Sequence, residues 1–261
     1  MHVLHPALRA ARLALACALA CAGIACASVR VPEGGAVTFE AANQAWARVL
    51  ECCVDERGRV DFARLAREPR DLELYVRHVA EVDPDSDAGA FPTVQARLAH
   101  HINAYNALSM YGVIQLGIPR TNAGLRKVRF FFLRRYRIAG GKETLYAYES
   151  RIRAIGDPRV HFALNCMSVS CPQLPRVPFR AEGFERQIDA VSRSFVNDER
   201  YVQVEAAARR VRISAIFKFY TKDFLAEADS LIAYINRLRN EPIPADYEVE
   251  FLPYDWTINR T

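Results

Sequence analysis

The sequence predicts an α+β fold: one helix-rich domain with a small antiparallel or mixed sheet. Three observations lead there. Apolar residues recur at spacings of three and four along most of the chain, which is the helical rhythm. Stretches that alternate apolar and polar residues are short and fall mainly in the last third. No repeat, low-complexity tract or linker divides the chain.

Residues 1–27 read as an export signal. Arg9 and Arg12 form the positive flank, and Leu13 to Ala25 is apolar throughout. That run is shorter than the ~20 residues a bilayer span needs. Ala25-Cys26-Ala27 then has the small-x-small pattern of a cleavage site. A buried Ala-rich helix is the plainer reading, and it ranks second because the run has no polar face. Gly23-Ile24-Ala25-Cys26 also loosely resembles a lipoprotein processing box with Cys26 as the lipid-bearing residue. Release and lipid anchoring therefore stand side by side. The expected location is periplasmic or extracellular, with membrane contact only through Cys26.

Residues 28–38, with Pro32 and Gly34-Gly35, form a flexible leader, and residues 39–261 are the globular domain. Phe39, Ala42, Trp46, Val49, Leu50 and Cys53 predict a helix over 39–53. A turn at 55–58 leads to a short extended piece, Arg59 to Phe62. Leu72 to Val82 is helical and ends in the Asp- and Gly-rich loop 83–89. Thr93 to Gln115 is the longest predicted helix. It carries Asn103 and Asn106 on one face, and two mediocre helix formers in an apolar helix suggest a polar task. Val128 to Ile138 reads as a strand or hairpin with a solvated basic side made of Arg134, Arg135 and Arg137. Leu145 to Ile155 is a short helix bearing Glu149. Val160 to Asn165 is apolar enough for a buried strand. Glu182 to Val196 is helical, and the runs 201–204 and 210–213 predict a hairpin. Helical segments follow at 214–224 and 231–238, then a strand at 249–252.

The chemistry concentrates in His161-Phe162-Ala163-Leu164-Asn165-Cys166-Met167-Ser168-Val169-Ser170-Cys171-Pro172. A thiol beside an imidazole can ionise at neutral pH, and the thiolate is the reactive form. Cysteine catalysis needs a nucleophile, a base and a group that orients the base. Cys166, His161 and Glu149 are the residues available. Asn103, Asn106, Asn165 and Ser170 are candidates to line a substrate site, with Asp255 as an outer anchor. On a straight strand His161 and Cys166 would face opposite ways, so their contact requires a bend near Asn165 or a helix starting there. Otherwise His100 or His101 serves the thiol.

Each residue also has a blander reading. A lone cysteine is more often buried and inert than reactive. A lone histidine is more often a hydrogen-bonded structural residue, and Glu149 an ordinary helix carboxylate. Outside the signal the cysteines are Cys52, Cys53, Cys166 and Cys171. Spacing leaves their three pairings open, although a vicinal Cys52–Cys53 bridge is disfavoured by strain. A Cys166–Cys171 bridge would remove the nucleophile. The spacing lacks the rhythm of a zinc site, and neither a metal nor another cofactor is expected. Without Arg9 and Arg12 the formal net charge falls from +5 to +3. That is too mild to argue for nucleic-acid binding through Arg134, Arg135 and Arg137.

Several separated motifs resemble domain-of-unknown-function family 547. They are Ile102-Asn103-Ala104-Tyr105-Asn106-Ala107, Leu145 with Glu149, Asp157 to Cys166, Ser168, Ser170-Cys171-Pro172 and Tyr254 to Asn259. Trp46 and Val60-Asp61-Phe62 resemble its amino-terminal motif, with Phe62 in place of the expected tyrosine. The likeness spans about residues 40–259. It implies that Glu149, His161 and Cys166 occupy the family's polar positions, and it leaves the reaction unspecified. Their order differs from papain-like enzymes, where cysteine comes first, so any relation to cysteine hydrolases is a distant one. The function expected is an exported thiol hydrolase or acyltransferase acting on an amide or thioester of a small peptide-like or thiol-containing ligand. The alternative is a non-catalytic cell-envelope binding module with a Cys166–Cys171 disulfide.

Overall fold

The computed structural model describes residues 28–261; the expected export signal, with Cys26, lies outside the described residues. Four helices make the amino-terminal half: α1 (Phe39–Cys53), α2 (Phe62–Arg67), α3 (Arg70–Glu81) and α4 (Val94–Gln115). Thr38 and Thr93 start α1 and α4 by accepting a hydrogen bond from the backbone N–H three residues on. Helix α4 is buried on nearly all sides from Ala96 to Val113, as expected of a helix through the middle of a core.

A short helix, α5 (Leu125–Val128), runs into a π-helical turn, Arg129–Leu133. Only then does the chain extend into the hairpin β1 (Arg135–Ile138) and β2 (Gly141–Thr144). The expected strand over 128–138 is therefore half right. Phe130 and Phe131 are both buried, and consecutive residues on a strand would point to opposite faces. In β1, Tyr136 and Ile138 face inward while Arg135 and Arg137 are exposed. Arg134 is buried, so the three arginines do not share one surface.

Helix α6 (Leu145–Arg153) is capped by Thr144. Residues 158–162 form a 3₁₀ turn instead of the expected buried strand. The Asp157 side chain caps it by accepting from the Arg159 N–H, and Pro158 occupies its start. All residues from Val160 to Ser168 are buried, so no periodicity was present to distinguish strand from turn. Helix α7 (Phe184–Val196) precedes a three-stranded mixed sheet. In it β3 (Val202–Glu205) pairs antiparallel with β4 (Arg210–Ile213), which pairs parallel with β5 (Glu248–Phe251). The short helices α8 (Ala215–Phe219), α9 (Thr221–Leu225) and α10 (Leu231–Asn236) bridge β4 and β5. Phe62, expected to end an extended piece, instead begins α2, capped by Asp61.

Two hydrophobic clusters result. The larger gathers Trp46, Tyr75, Tyr105 and Tyr148 from α1, α3, α4 and α6. The smaller packs Phe195, Phe217, Phe224 and Ile235 around the mixed sheet. The turn at 158–162 lies where they meet: Val160 and Ala163 belong to the first, Phe162 to the second. Cys52 and Cys53, which strain was expected to keep apart, are joined as a vicinal disulfide. They are the last two residues of α1.

Candidate functional site

The loop after the 3₁₀ turn is held in shape by two asparagine side chains. Asn106, on α4, donates through Nδ2 to the Ala163 carbonyl (3.0 Å) and accepts at Oδ1 from the Asn165 N–H (2.7 Å). Asn165 in turn donates through Nδ2 to the Pro172 carbonyl (2.6 Å) and accepts at Oδ1 from the Met167 N–H (2.7 Å). The loop 165–172 is thereby closed on itself. Met167 sits at φ 67°, a left-handed conformation that costs a non-glycine residue on the order of 1–3 kcal/mol. Such strain persists only where surrounding contacts over-determine the backbone, and here the Asn165 amide does so. Replacing Asn106 with Leu strands a buried carbonyl and a buried N–H, each costing about 1–3 kcal/mol. We expect the melting temperature of Asn106→Leu to fall by about 10 °C or more, readable by circular dichroism.

The carboxy-terminal tail completes the loop. Val169 donates to the Thr257 carbonyl and Asn259 to that of Met167, so residues 254–259 run beside 167–170. This pairing places the Tyr254 hydroxyl 3.2 Å from the Cys171 sulfur and 3.6 Å from that of Cys166. Both thiols are free and buried, with their sulfurs 2.9 Å apart. Ser168 Oγ lies 3.4 Å from the Cys166 sulfur.

These sulfurs open onto a cavity of about 230 Å³, which Glu149 and His161 also line. Tyr105, Tyr220, Tyr254, Trp256 and Phe219 supply aromatic walls, and Lys127 stands at the side. The Lys127 ammonium lies 4.2 Å from the Trp256 ring centroid and has no ion pair among the described residues. The cavity thus joins α4, α6, the 3₁₀ turn, α8 and the tail at the seam of the two hydrophobic clusters.

His161 Nε2 lies 2.8 Å from Asp223 Oδ2 on α9, and the ring stacks on Tyr220 with centroids 4.0 Å apart. Asp223 is also gripped by Arg153 through bonds of 2.8 and 3.1 Å. Burial works to raise the Asp223 pKa, but the hydrogen bonds from Arg153 and His161 outweigh it and hold the carboxylate ionised. Burial dominates at His161 and lowers it to about 4 despite Asp223, so the imidazole is neutral at pH 7. A carboxylate accepting at Nε2 fixes the tautomer with Nδ1 as the basic atom. At Cys166 the hydrogen bond from Cys171 is the largest influence. It outweighs burial, and with Ser168 and Tyr254 it brings the thiol down to about 7. Burial and the neighbouring sulfur push Cys171 up. At Glu149 burial raises the pKa against the opposing hydrogen bonds of Tyr220 and Tyr105.

His78, His100 and His101 are also buried, and desolvation lowers each of them. A histidine with a depressed folded-state pKa binds its proton less readily than the unfolded chain does. Stability is therefore lost as pH falls below the unfolded value of about 6.5. For His161 the loss continues down to about pH 4 and is on the order of 3 kcal/mol. We expect urea midpoints to fall steadily from pH 6.5 to pH 4, with a shallower slope in His161→Gln. An unchanged midpoint across that window would contradict this account.

The predicted residues divide into two groups. Glu149, His161 and Cys166 reach one cavity, but they form no hydrogen-bonded chain. The carboxylate bonded to His161 is Asp223, whereas the two oxygens of Glu149 are taken by Tyr105 and Tyr220. Cys166 does not begin a helix, and His101 is bonded to Tyr148 and Asp85 instead of the thiol. Asn103 braces Trp46 and the backbone of Phe179. Asn106 and Asn165 serve the loop, Ser170 Oγ accepts from the Asp255 N–H, and the Asp255 carboxylate accepts from the Thr257 N–H. None of these five lines the cavity. Asp223 lies in the short helix α9 and Tyr220 at the turn between α8 and α9, and no local sequence signal singles them out. Tyr254 and Trp256 did carry a signal, the aromatic tail motif.

Comparison with known families adds one finding. Residues 91–196 match the family described as protein of unknown function, DUF547. The DUF547 segment holds Glu149, His161, Cys166 and Cys171, together with the asparagines that shape their loop. It stops short of Tyr220, Tyr254 and Trp256, which complete the cavity here, and of Asp223, which holds His161 from behind; it is narrower than the resemblance read from the motifs. No curated protein and no solved structure matches the chain.

Proposed function

We propose that the protein is a cysteine-dependent hydrolase or acyltransferase acting on an amide or thioester of a small substrate. The observation that carries this reading is the shared cavity. It holds a thiol lowered to about 7 and, in the same wall, an imidazole whose far nitrogen is bonded to a carboxylate. Those are the nucleophile, base and orienting group that acyl transfer requires.

In this reading the Cys166 thiolate, its proton already passed to solvent, attacks the carbonyl carbon. The carbon–nitrogen or carbon–sulfur bond breaks, and the leaving group takes up a proton from solvent through Nδ1 of His161, whose transient imidazolium Asp223 stabilises. Water then adds to the acyl-enzyme with His161 as base, releasing the acid and the thiol. Tyr254 offers its hydroxyl to the carbonyl oxygen. Lys127 favours substrates with an anionic substituent near the scissile bond. Glu149, raised in pKa and bound by two tyrosines, shapes the wall.

The test is acid-quenched intact mass of the reduced protein after mixing with a phenyl thioester. An acyl adduct that maps to Cys166 is expected. Absence of an adduct, or one mapping elsewhere, overturns the proposal. The rate of adduct formation should rise with pH around a midpoint of about 7, because the thiolate reacts and the thiol does not. Cys171→Ala removes the strongest hydrogen bond to that thiolate, so its midpoint should move upward.

Export, with release or anchoring at Cys26, belongs to the same proposal. Amino-terminal sequencing of the secreted and membrane fractions distinguishes the two outcomes.

A further inference from the structure

We propose that the same cavity carries out thiol–disulfide exchange with small organic disulfides, Cys166 attacking and Cys171 resolving. The starting observation is the 2.9 Å separation of the two sulfurs, against about 2.04 Å in a formed disulfide. A small rotation of either side chain closes that gap.

The closeness does not depend on the sulfurs themselves. Asn165 ties both ends of the loop, the Cys171 N–H donates to the Ser168 carbonyl (3.0 Å), and Asn106 anchors the loop to α4. A backbone held in this way accommodates the dithiol and the disulfide alike. The contrast is the Cys52–Cys53 bridge, which lines no part of this cavity.

The two thiols are not equivalent. The Cys166 sulfur is approached by Cys171, Ser168 and Tyr254, all able to donate to a thiolate. The Cys171 sulfur receives the Cys166 backbone N–H (3.2 Å) and the Tyr254 hydroxyl (3.2 Å). Cys166 is the more acidic of the pair, and an attacking thiol works best with a pKa near ambient pH. Tyr254 reaches both sulfurs and is itself held protonated by burial, so it can follow the negative charge from one to the other.

The steps balance as follows. The Cys166 thiolate attacks one sulfur of RS–SR; a Cys166–SR bond forms, the reagent bond breaks, and RS⁻ leaves and takes up a proton. Cys171 then loses its proton to solvent and attacks the Cys166 sulfur. The Cys166–Cys171 bond forms and the second RS⁻ leaves, again to be protonated. The protein dithiol is oxidised by two electrons, and the small disulfide is reduced to two thiols. A small thiol reverses the sequence. Because the product bridge consumes Cys166, exchange also switches acyl transfer off.

The experiment uses the reduced full-length protein and bis(2-hydroxyethyl) disulfide, with peptide mass mapping after acid quench. Wild type should yield a 166–171 cross-linked peptide with no lasting adduct. Cys171→Ser should instead retain a mercaptoethanol adduct on Cys166. Cys166→Ser should gain no adduct at Cys171 over the same interval. Cys171→Ala repeats the trap should the serine variant be unstable, and the wild-type cross-link is readable without either. A wild-type adduct on Cys166 as durable as that in Cys171→Ser overturns the proposal, as does first attack by Cys171 or failure of the wild type to react. Acylation by the phenyl thioester is scored separately on reduced Cys171→Ser, so loss of exchange and loss of acyl transfer give different patterns.

Discussion

Cys166→Ala is expected to lose thioester turnover by about 10³-fold or more, on the scale seen when a covalent nucleophile is removed. The acyl adduct and labelling by a thiol-reactive probe in the cavity should vanish with it. Stability should change by about 1 kcal/mol or less. The lost sulfur already faces a cavity, and the loop is held by Asn106 and Asn165. Retained turnover in a folded Cys166→Ala protein would remove the thiol from the mechanism. Cys52 and Cys53 are bridged, which leaves Cys166 and Cys171 as the free thiols among the described residues.

Asp223→Asn should lower kcat by about 10⁴-fold, the scale expected when an orienting carboxylate is lost and the imidazole adopts the wrong tautomer. KM should change little, because Asp223 does not line the cavity. A purely structural role would move stability without altering the ring. The discriminating readout is therefore the nitrogen NMR shift of His161: the wild type should carry its proton on Nε2, and the variant should show a mixture. Since the amide keeps a single acceptor oxygen, Arg153 loses one of its two hydrogen bonds in this variant. It is partly exposed, so the cost to stability should stay near 1–2 kcal/mol. A fully active Asp223→Asn would show that His161 needs no carboxylate, and the assignment of the base would fail.

How much of this was legible in sequence depended on how local the governing physics was. The ends of helix α1 are legible because an apolar face and a turn sit next to one another in the chain. The β3–β4 hairpin was equally plain from alternation. The segment 160–165 reads as a strand and is not one, because burial there is continuous. A 3₁₀ turn between two cores and a buried strand leave the same apolar trace. Phe62 and the Phe130–Phe132 run misled for a related reason: helix caps and a π-helical turn decided those backbones, and apolar content alone was blind to them.

The candidate site shows the same division. Residue types alone point to His161 and Cys166, since thiols and imidazoles are few in this chain, and Glu149 follows as the carboxylate nearest them in sequence. Their placement around one cavity, and the partner each one takes, depended on contacts between distant segments. Asp223 reaches His161 across 62 positions and Tyr254 reaches Cys171 across 83. Asp223 has no neighbour in sequence that marks it, and the tail motif around Tyr254 does not say which sulfur it meets. The asparagines were noticed as polar residues in an apolar helix, and only the fold revealed that they hold a loop. A chain states which chemical groups it owns and where its helices begin, because those follow from bonds and caps a few residues apart. Which carboxylate meets which imidazole is settled by the packing of two hydrophobic clusters against each other, and that free energy is spread over side chains far apart in the chain.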